Sequence, residues 1–305
     1  MLTVGSSPFA LINGAMSALR RRVVRDLRGL PETLARVGHF ELKFAVTKKE
    51  IRAVQRMRYR VFFEEGGAIA APLARAQRRD NCPFDRVCDH IIVVDHNAAS
   101  RQGRKSRVVG AYRVLRQDAL TRPDRFYSAS EFDIASLVQR HPDKKFMELG
   151  RSCVLPEYRA RRVLDLLWRG VLTYVQHHGV DVMFGCASLP GANPDLHADA
   201  LGFLRAHASA CNEWRTSAVG RRGTHGPEAS LQLQSRDGAP SGRRALTNLP
   251  PLIKGYLRLG ASFGDDVFVD RAFGTTDVFV VLPVARIQAR YIEHFGAGTA
   301  EPVAA

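Results

Sequence analysis

Apolar positions along the chain recur at two spacings, and each change of spacing marks an element. Glu41-Leu-Lys-Phe-Ala-Val46 alternates polar and apolar, as a half-buried strand does. Thr47 with Glu50 then makes a capping-box pattern that opens a helix running to about Phe63. At 100° per residue, Ile51, Val54, Val61 and Phe62 share one face of it, with Arg52, Arg56 and Arg60 on the other. Ile91-Ile-Val-Val94 reads as a buried strand and Arg107–Arg116 as a second, the two predicted to form a hairpin. A strand from Phe146 feeds, through Pro156-Glu-Tyr158, a helix in which Val163, Leu164, Leu167, Val171 and Tyr174 keep helical spacing. Gly179 closes that helix after His178. Val180–Cys186 is another central strand, followed by a helix near 195–209, a Pro-started helix within Leu249–Arg258, late strands at 267–269 and 277–282, and a closing helix at 285–295. Residues 66–81 read as a loop and 117–145 as partly helical. Strands joined partly by hairpins, with two helices between them, imply a mixed sheet with helices packed on it.

Composition narrows the class. A chain of 305 residues with 45% hydrophobic content has ample core for one or two domains. It has no run of about 18 apolar residues and no secretory-signal pattern, so a cytoplasmic location is expected. Five scattered cysteines suit reduced thiols rather than a disulfide framework. The net charge of +15 points to an acidic partner: nucleic acid, anionic lipid or an acidic protein. Against nucleic acid, the basic residues are dispersed and form no aromatic-interleaved patch. Residues 8–29 run from an apolar half into Arg20, Arg21, Arg22, Arg25 and Arg28, a pattern that suits either a membrane interface or a loosely docked tail. The organisation expected is a basic segment over 1–38, one domain over 39–296 with a polar insertion near 212–247, and a short tail over 297–305.

The chemistry concentrates where charge interrupts apolar pattern. Arg58 falls within the apolar helix face, where an unpaired guanidinium costs several kcal/mol, so a carboxylate must meet it. Asp85 and Asp89, four apart at the entrance to a strand, can reach one pocket and bind a cationic group. Cys82, Cys88 and His90 lack a second Cys/His pair at metal spacing, so no metal site is expected. Ser188 lacks the glycine-flanked elbow of a serine hydrolase. The densest stretch is Phe146–Val163, where a strand carries Glu148 and Arg151 and the following helix begins among Arg159, Arg161 and Arg162. A strand feeding a helix N-terminus can hold an anion. In a regular strand Glu148 and Arg151 point to opposite faces; a bulge at Gly150 would bring them together, and without one Arg151 is left to pair structurally.

This order of elements resembles the GNAT-type N-acyltransferases, and implies an α/β (α+β mixed-sheet) fold with helices on both faces of a mostly antiparallel sheet. In that family the turn after the fourth strand holds the pantetheine arm of an acyl thioester. The matching positions here, Arg159-Ala-Arg-Arg-Val-Leu164, lack the family's glycines. Side chains therefore stand where backbone would approach a pyrophosphate, which disfavours acetyl-CoA and favours acyl carrier protein as donor. Arg58-x-x-Val61-Phe62, Asp85/Asp89, Gly110-x-x-Arg113-x-Leu115 and Glu148-x-x-Arg151 are similar to motifs of acyl-homoserine-lactone synthases. Far longer runs resemble the L-ornithine N-alpha-acyltransferases of bacterial ornithine-lipid synthesis. Among them are Glu148–Arg159, Asp165–Gly170, His177–Gly191, Leu249–Gly260 and Phe273-Gly-Thr-Thr-Asp-Val278.

That resemblance implies transfer of a 3-hydroxyacyl group from the phosphopantetheine thioester of acyl carrier protein to the alpha-amine of L-ornithine, with no bound cofactor, giving lyso-ornithine lipid. Glu148 is the first candidate for the base that takes the ammonium proton, and Asp89 the second. Backbone amides near 149–154 can stabilise the oxyanion. Arg58 or Arg151 suits the substrate carboxylate, Phe62 the substrate wall, and Asp85 with Asp89 the side-chain ammonium. Arg159, Arg161 and Arg162 are expected to steer an acidic carrier protein. An amphiphilic product implies peripheral contact with the inner face of the cytoplasmic membrane. A lactone synthase using S-adenosylmethionine and a nucleic-acid-binding protein remain as alternatives.

Overall fold

A computed structural model describes residues 27–98, 106–122, 125–159, 161–219, 242–289 and 291. Eight strands form one sheet in the order β1-β2-β3-β4-β5-β6-β8-β7. They are β1 (Thr33–Val37), β2 (Phe40–Phe44), β3 (Asp89–Asp95), β4 (Arg107–Arg116), β5 (Phe146–Val154), β6 (Val182–Pro190), β7 (Ser262–Asp270) and β8 (Thr275–Pro283). Every neighbouring pair is antiparallel except β5 and β6. The mixed, mostly antiparallel sheet and the β3–β4 hairpin agree with the pattern read from the sequence.

Seven α-helices are described: α1 (Lys48–Tyr59), α2 (Pro72–Gln77), α3 (Ile134–Arg140), α4 (Arg161–His178), α5 (Ala198–Ala208), α6 (Gly242–Asn248) and α7 (Pro251–Leu259). The capping box is formed: Glu50 N–H donates to Thr47 Oγ1 at 3.2 Å, and Thr47 N–H to Glu50 Oε2 at 2.9 Å. Beyond Tyr59 the helix widens into one π-turn over Arg60–Glu65, with Gly66 N–H reaching back to Val61. Gly179, at φ +60°, ends α4 as expected.

Alternation along the strands separates two cores. On one face Leu42, Ile91, Val114 and Met147 pack against α4. Gly170 lets α4 approach closely, since a Cβ there would come 2.6 Å from Ile91. On the other face Phe146, Phe184, Phe279 and Val281 meet Phe126, Phe132 and the apolar side of α3. Helices thus cover both faces.

Local differences from the expected elements have simple causes. Residues 33–37, assigned to a separate basic segment, form the edge strand β1 against β2. Arg28 pairs with Asp118 at 2.6 Å. The rest of the predicted interfacial stretch lies outside the described residues, apart from 27 and 29. The predicted 66–81 loop contains α2 because Pro72 starts a short turn of helix. Of the predicted 285–295 helix, only a short turn at Val284–Arg286 is described, and most of the polar insertion falls outside the described residues.

Candidate active site

The parallel ladder between β5 and β6 is short. Phe146–Leu149 pair with Val182–Gly185, and there the ladder stops. Beyond it β5 continues paired with β4 and β6 with β8, so the two strands part. A cavity of about 360 Å³ opens in the cleft. Leu149, Gly150, Arg151 and Ser152 line one side, and Cys186, Ser188 and Pro190 the other. Val61, Phe62 and Phe273 add apolar wall.

A bulge decides what β5 shows this cavity. Ala111 pairs with Cys153 and Arg113 with Gly150, so Tyr112 alone stands opposite Arg151 and Ser152. Arg151 takes φ +50°, a left-handed conformation that costs a side-chain-bearing residue roughly 1–2 kcal/mol. The extra residue resets the alternation, so Glu148 and Arg151 both line the cavity. The bulge lies one residue beyond the predicted Gly150.

Glu148 is 3% exposed and held by a three-donor cradle. Tyr127 N–H donates to Oε2 at 2.9 Å; Ser128 N–H (2.6 Å) and Ser128 Oγ donate to Oε1. Burial raises its pKa above the usual carboxylate range despite the opposing pull of these donors. Oε2, with one protein donor, keeps a lone pair. Arg151 donates from Nη1 to Tyr127 Oη (3.2 Å) and from Nε to Asp80 Oδ2 (3.3 Å). Its guanidinium lies 4.5 Å from the Phe273 ring centroid and 4.7 Å from that of Tyr127. Burial pushes the Cys186 thiol well above its ordinary pKa, so it is not a thiolate nucleophile.

A second set of carboxyls, Glu131, Asp270 and Asp277, also lines the cavity. One oxygen from each lies within 4.8 Å of the others, a hard-oxygen arrangement able to accept a cation or an ammonium. Burial, then the neighbouring carboxyl charge of Asp277, raises the pKa of Glu131. Burial likewise raises Asp277, opposed by the Ser188 and Thr275 hydroxyls and the Arg151 charge, with Asp270 adding to the rise.

The expected substrate residues divide. Glu148, Arg151 and Phe62 come together at the cavity. Arg58 does not: fully buried, it forms a bidentate pair with Asp85, so its assignment to a substrate carboxylate is corrected to a structural one. Asp85 is consumed by Arg58, Gln55 and His90 rather than open to a substrate ammonium. The hydrogen bond from His90 and the Arg58 guanidinium outweigh burial and hold Asp85 well below the usual range. Asp89 is also corrected, both as base and as ammonium ligand. It does not line the cavity, and Tyr174 Oη donates to it at 2.6 Å. Arg159 pairs with Glu65 at 2.5 Å, and Arg162 is exposed at the start of α4. The side chain of Arg161 lies outside the described ones.

Tyr127, Ser128, Glu131, Asp270 and Asp277 were not anticipated as site residues. For Asp277 a signal existed, an acid opening the apolar run Asp277-Val-Phe-Val-Val-Leu282. For Glu131 there was none.

The acetyltransferase (GNAT) domain family matches residues 57–169. The chain is 48% identical over 269 residues to the L-ornithine N(alpha)-acyltransferase of Rhizobium meliloti (strain 1021), covering 87% of each. It is 46% identical over 292 residues to the enzyme of the same name from Agrobacterium fabrum (strain C58), covering 95% of each. Among solved structures, FeeM, an N-acyl amino acid synthase from uncultured soil microbes, aligns with a TM-score of 0.43 at 13% identity, over 81% of this chain and 90% of that one. MesI, a CoA-dependent acyl-homoserine lactone synthase, aligns with a TM-score of 0.42 at 13% identity, over 84% and 91%. Identity this high over nearly the whole length decides the relationship: the chain belongs to the L-ornithine N(alpha)-acyltransferase family.

Proposed function

We propose that this protein transfers a 3-hydroxyacyl group from acyl carrier protein to the alpha-amine of L-ornithine, the first step of ornithine-lipid synthesis. The observation that carries the reading is the meeting of a buried carboxylate, Glu148, and a guanidinium, Arg151, in one cavity where β5 and β6 part. The incoming alpha-ammonium cannot attack until it loses a proton, and Glu148 Oε2 is the acceptor. The amine lone pair then adds to the thioester carbonyl. Backbone N–H groups of the 149–154 stretch donate to the oxyanion, and its collapse forms the amide and expels the carrier thiolate, which takes up a proton. Arg151 suits the amino-acid carboxylate.

Carrier protein is favoured as donor because the turn into α4 carries Arg159, Arg161 and Arg162 where glycines would admit a pyrophosphate. Among the described residues, no helix is long and apolar enough to cross a membrane. Peripheral contact at the inner face of the cytoplasmic membrane follows from the amphiphilic product and the arginine-rich 8–29 segment. Incubating the purified protein with 3-hydroxyacyl carrier protein and L-ornithine, with mass spectrometry of the products, tests the reading. Amide-linked acyl-ornithine is expected; product from another amine, with none from ornithine, overturns it.

A further inference from the structure

Glu131 and Asp277 present an unsolved charge problem. Each is 4% exposed, yet among the described residues Glu131 Oε2 and Asp277 Oδ1 are buried with no hydrogen-bond partner. An unsatisfied buried carboxylate oxygen costs free energy unless a ligand supplies a donor, and both residues line the cavity that holds Glu148 and Arg151. Asp270, partly exposed, completes the group. The three come from separate elements: Glu131 ends the short turn Tyr127–Ser130, Asp270 ends β7, and Asp277 lies in β8 opposite Ser188.

We propose that Glu131, Asp270 and Asp277 hold the side-chain ammonium of the amino-acid acceptor and so select a diamino acid over neutral ones. This rests on the acceptor assigned above. An ammonium has three donors, and with N–H···O distances of about 2.8 Å at tetrahedral angles its acceptors stand about 4.6 Å apart. The carboxyl oxygens lie within 4.8 Å of one another, which accommodates that spacing. The cavity is polarised to match an amino acid with a cationic tail. Arg151 supplies positive charge for the carboxylate, Glu148 sits by the reacting amine, and the acidic group receives the tail. Burial and mutual repulsion raise both Glu131 and Asp277, the state expected of acids awaiting a cation.

The test compares L-ornithine with L-norvaline, which has the same carbon chain without the terminal amine. The full-length protein and its Asp277→Asn, Glu131→Gln and Asp270→Asn variants are used. Acylation is measured with 3-hydroxyacyl carrier protein, and amino-acid affinity separately by calorimetry without donor. The wild type is expected to prefer ornithine by about 100-fold or more in kcat/KM, because a site built for polar partners rejects an analogue lacking them. In the variants the ornithine KM should rise about 10-fold or more, and the ornithine-to-norvaline ratio should collapse. Asp270→Asn, at the least buried position, keeps the test open if a buried variant fails to fold. Parallel loss with both amino acids, or equal wild-type affinity for both, overturns the proposal while leaving ornithine acylation standing. Activity abolished by chelator and restored by a divalent cation also overturns it, since the acids then hold a metal. If the wild type acylates no ornithine, the acceptor assignment falls instead, and calorimetry alone reads whether the acids bind a diamino acid.

Discussion

Arg58 and Asp85 close a two-pronged ion pair, Nη1 to Oδ1 at 2.9 Å and Nη2 to Oδ2 at 2.6 Å, with the guanidinium fully buried. Arg58 also donates to the Asp80 carbonyl and so ties α1 to the segment entering β3. Removing one partner strips the other of its bidentate contact and leaves it with weaker company: Asp80 Oδ2, 2.9 Å from Arg58 Nε, on one side, and Gln55, His90 and Arg113 beside Asp85 on the other. Asp85→Ala or Arg58→Ala should therefore cost about 3–5 kcal/mol of stability. Chemical denaturation measures this. A loss below about 1 kcal/mol would mean that the pair is not a structural anchor.

Glu148→Gln tests the base. It removes the proton acceptor while keeping one oxygen for the Ser128 donors, and turnover should fall about 100-fold or more. Ornithine affinity by calorimetry should change far less. Turnover within a factor of two of wild type, in a protein that melts normally, would remove Glu148 from proton transfer.

Stability of the ligand-free protein should fall as pH rises from about 5 to about 8. Glu131, Asp277 and Glu148 have raised pKa values, so the unfolded chain gives up their protons first. Stabilisation is complete below the ordinary carboxylate range and is lost through the raised values, with a slope of at most about 1.4 kcal/mol per pH unit per proton. Facing Glu131 and Asp277 are Asp270, Glu148, Cys186 and Arg151, of which only Arg151 offsets the negative charge. Asp85 and His90, both with lowered pKa, act at the acid end with the opposite sign. Thermal melts across pH should show the alkaline decline, and Asp277→Asn should flatten it. An unaltered slope in that variant would assign the decline to other groups.

Arg162→Glu addresses the donor. A charge reversal at an exposed docking position slows association with an acidic carrier, and most strongly at low salt. We expect kcat/KM for acyl carrier protein to drop about 10-fold, with a much smaller drop for a free acyl-pantetheine thioester. Equal effects on both donors would argue against carrier docking there.

What the sequence revealed was mostly local. The Thr47–Glu50 capping box, the Gly179 stop and the strand alternation depend on neighbours a few residues apart, and each stands in the structure. The need of Arg58 for a carboxylate was equally legible, but not which one. Asp85 and Asp89 look alike in a linear chain, yet the β3 register sends Asp89 toward Tyr174 and leaves Asp85 with Arg58. Glu131, Asp270 and Asp277 gather from three elements, so no spacing rule could join them. The shared face of Glu148 and Arg151 hinged on one inserted residue, which side-chain pattern does not reveal.

The short β5–β6 ladder has a consequence for how the protein accepts its donor. Beyond Leu149 and Gly185 the sheet possesses an internal edge that lines the cavity. Exposed edges invite any extended chain to pair with them, which is why proteins cover or blunt them. An extended donor arm with amides of its own could pair with this one, beside Phe62 and Phe273 in the cavity wall. The two halves of the sheet, joined side by side over four residue pairs, would then be stitched by the substrate itself.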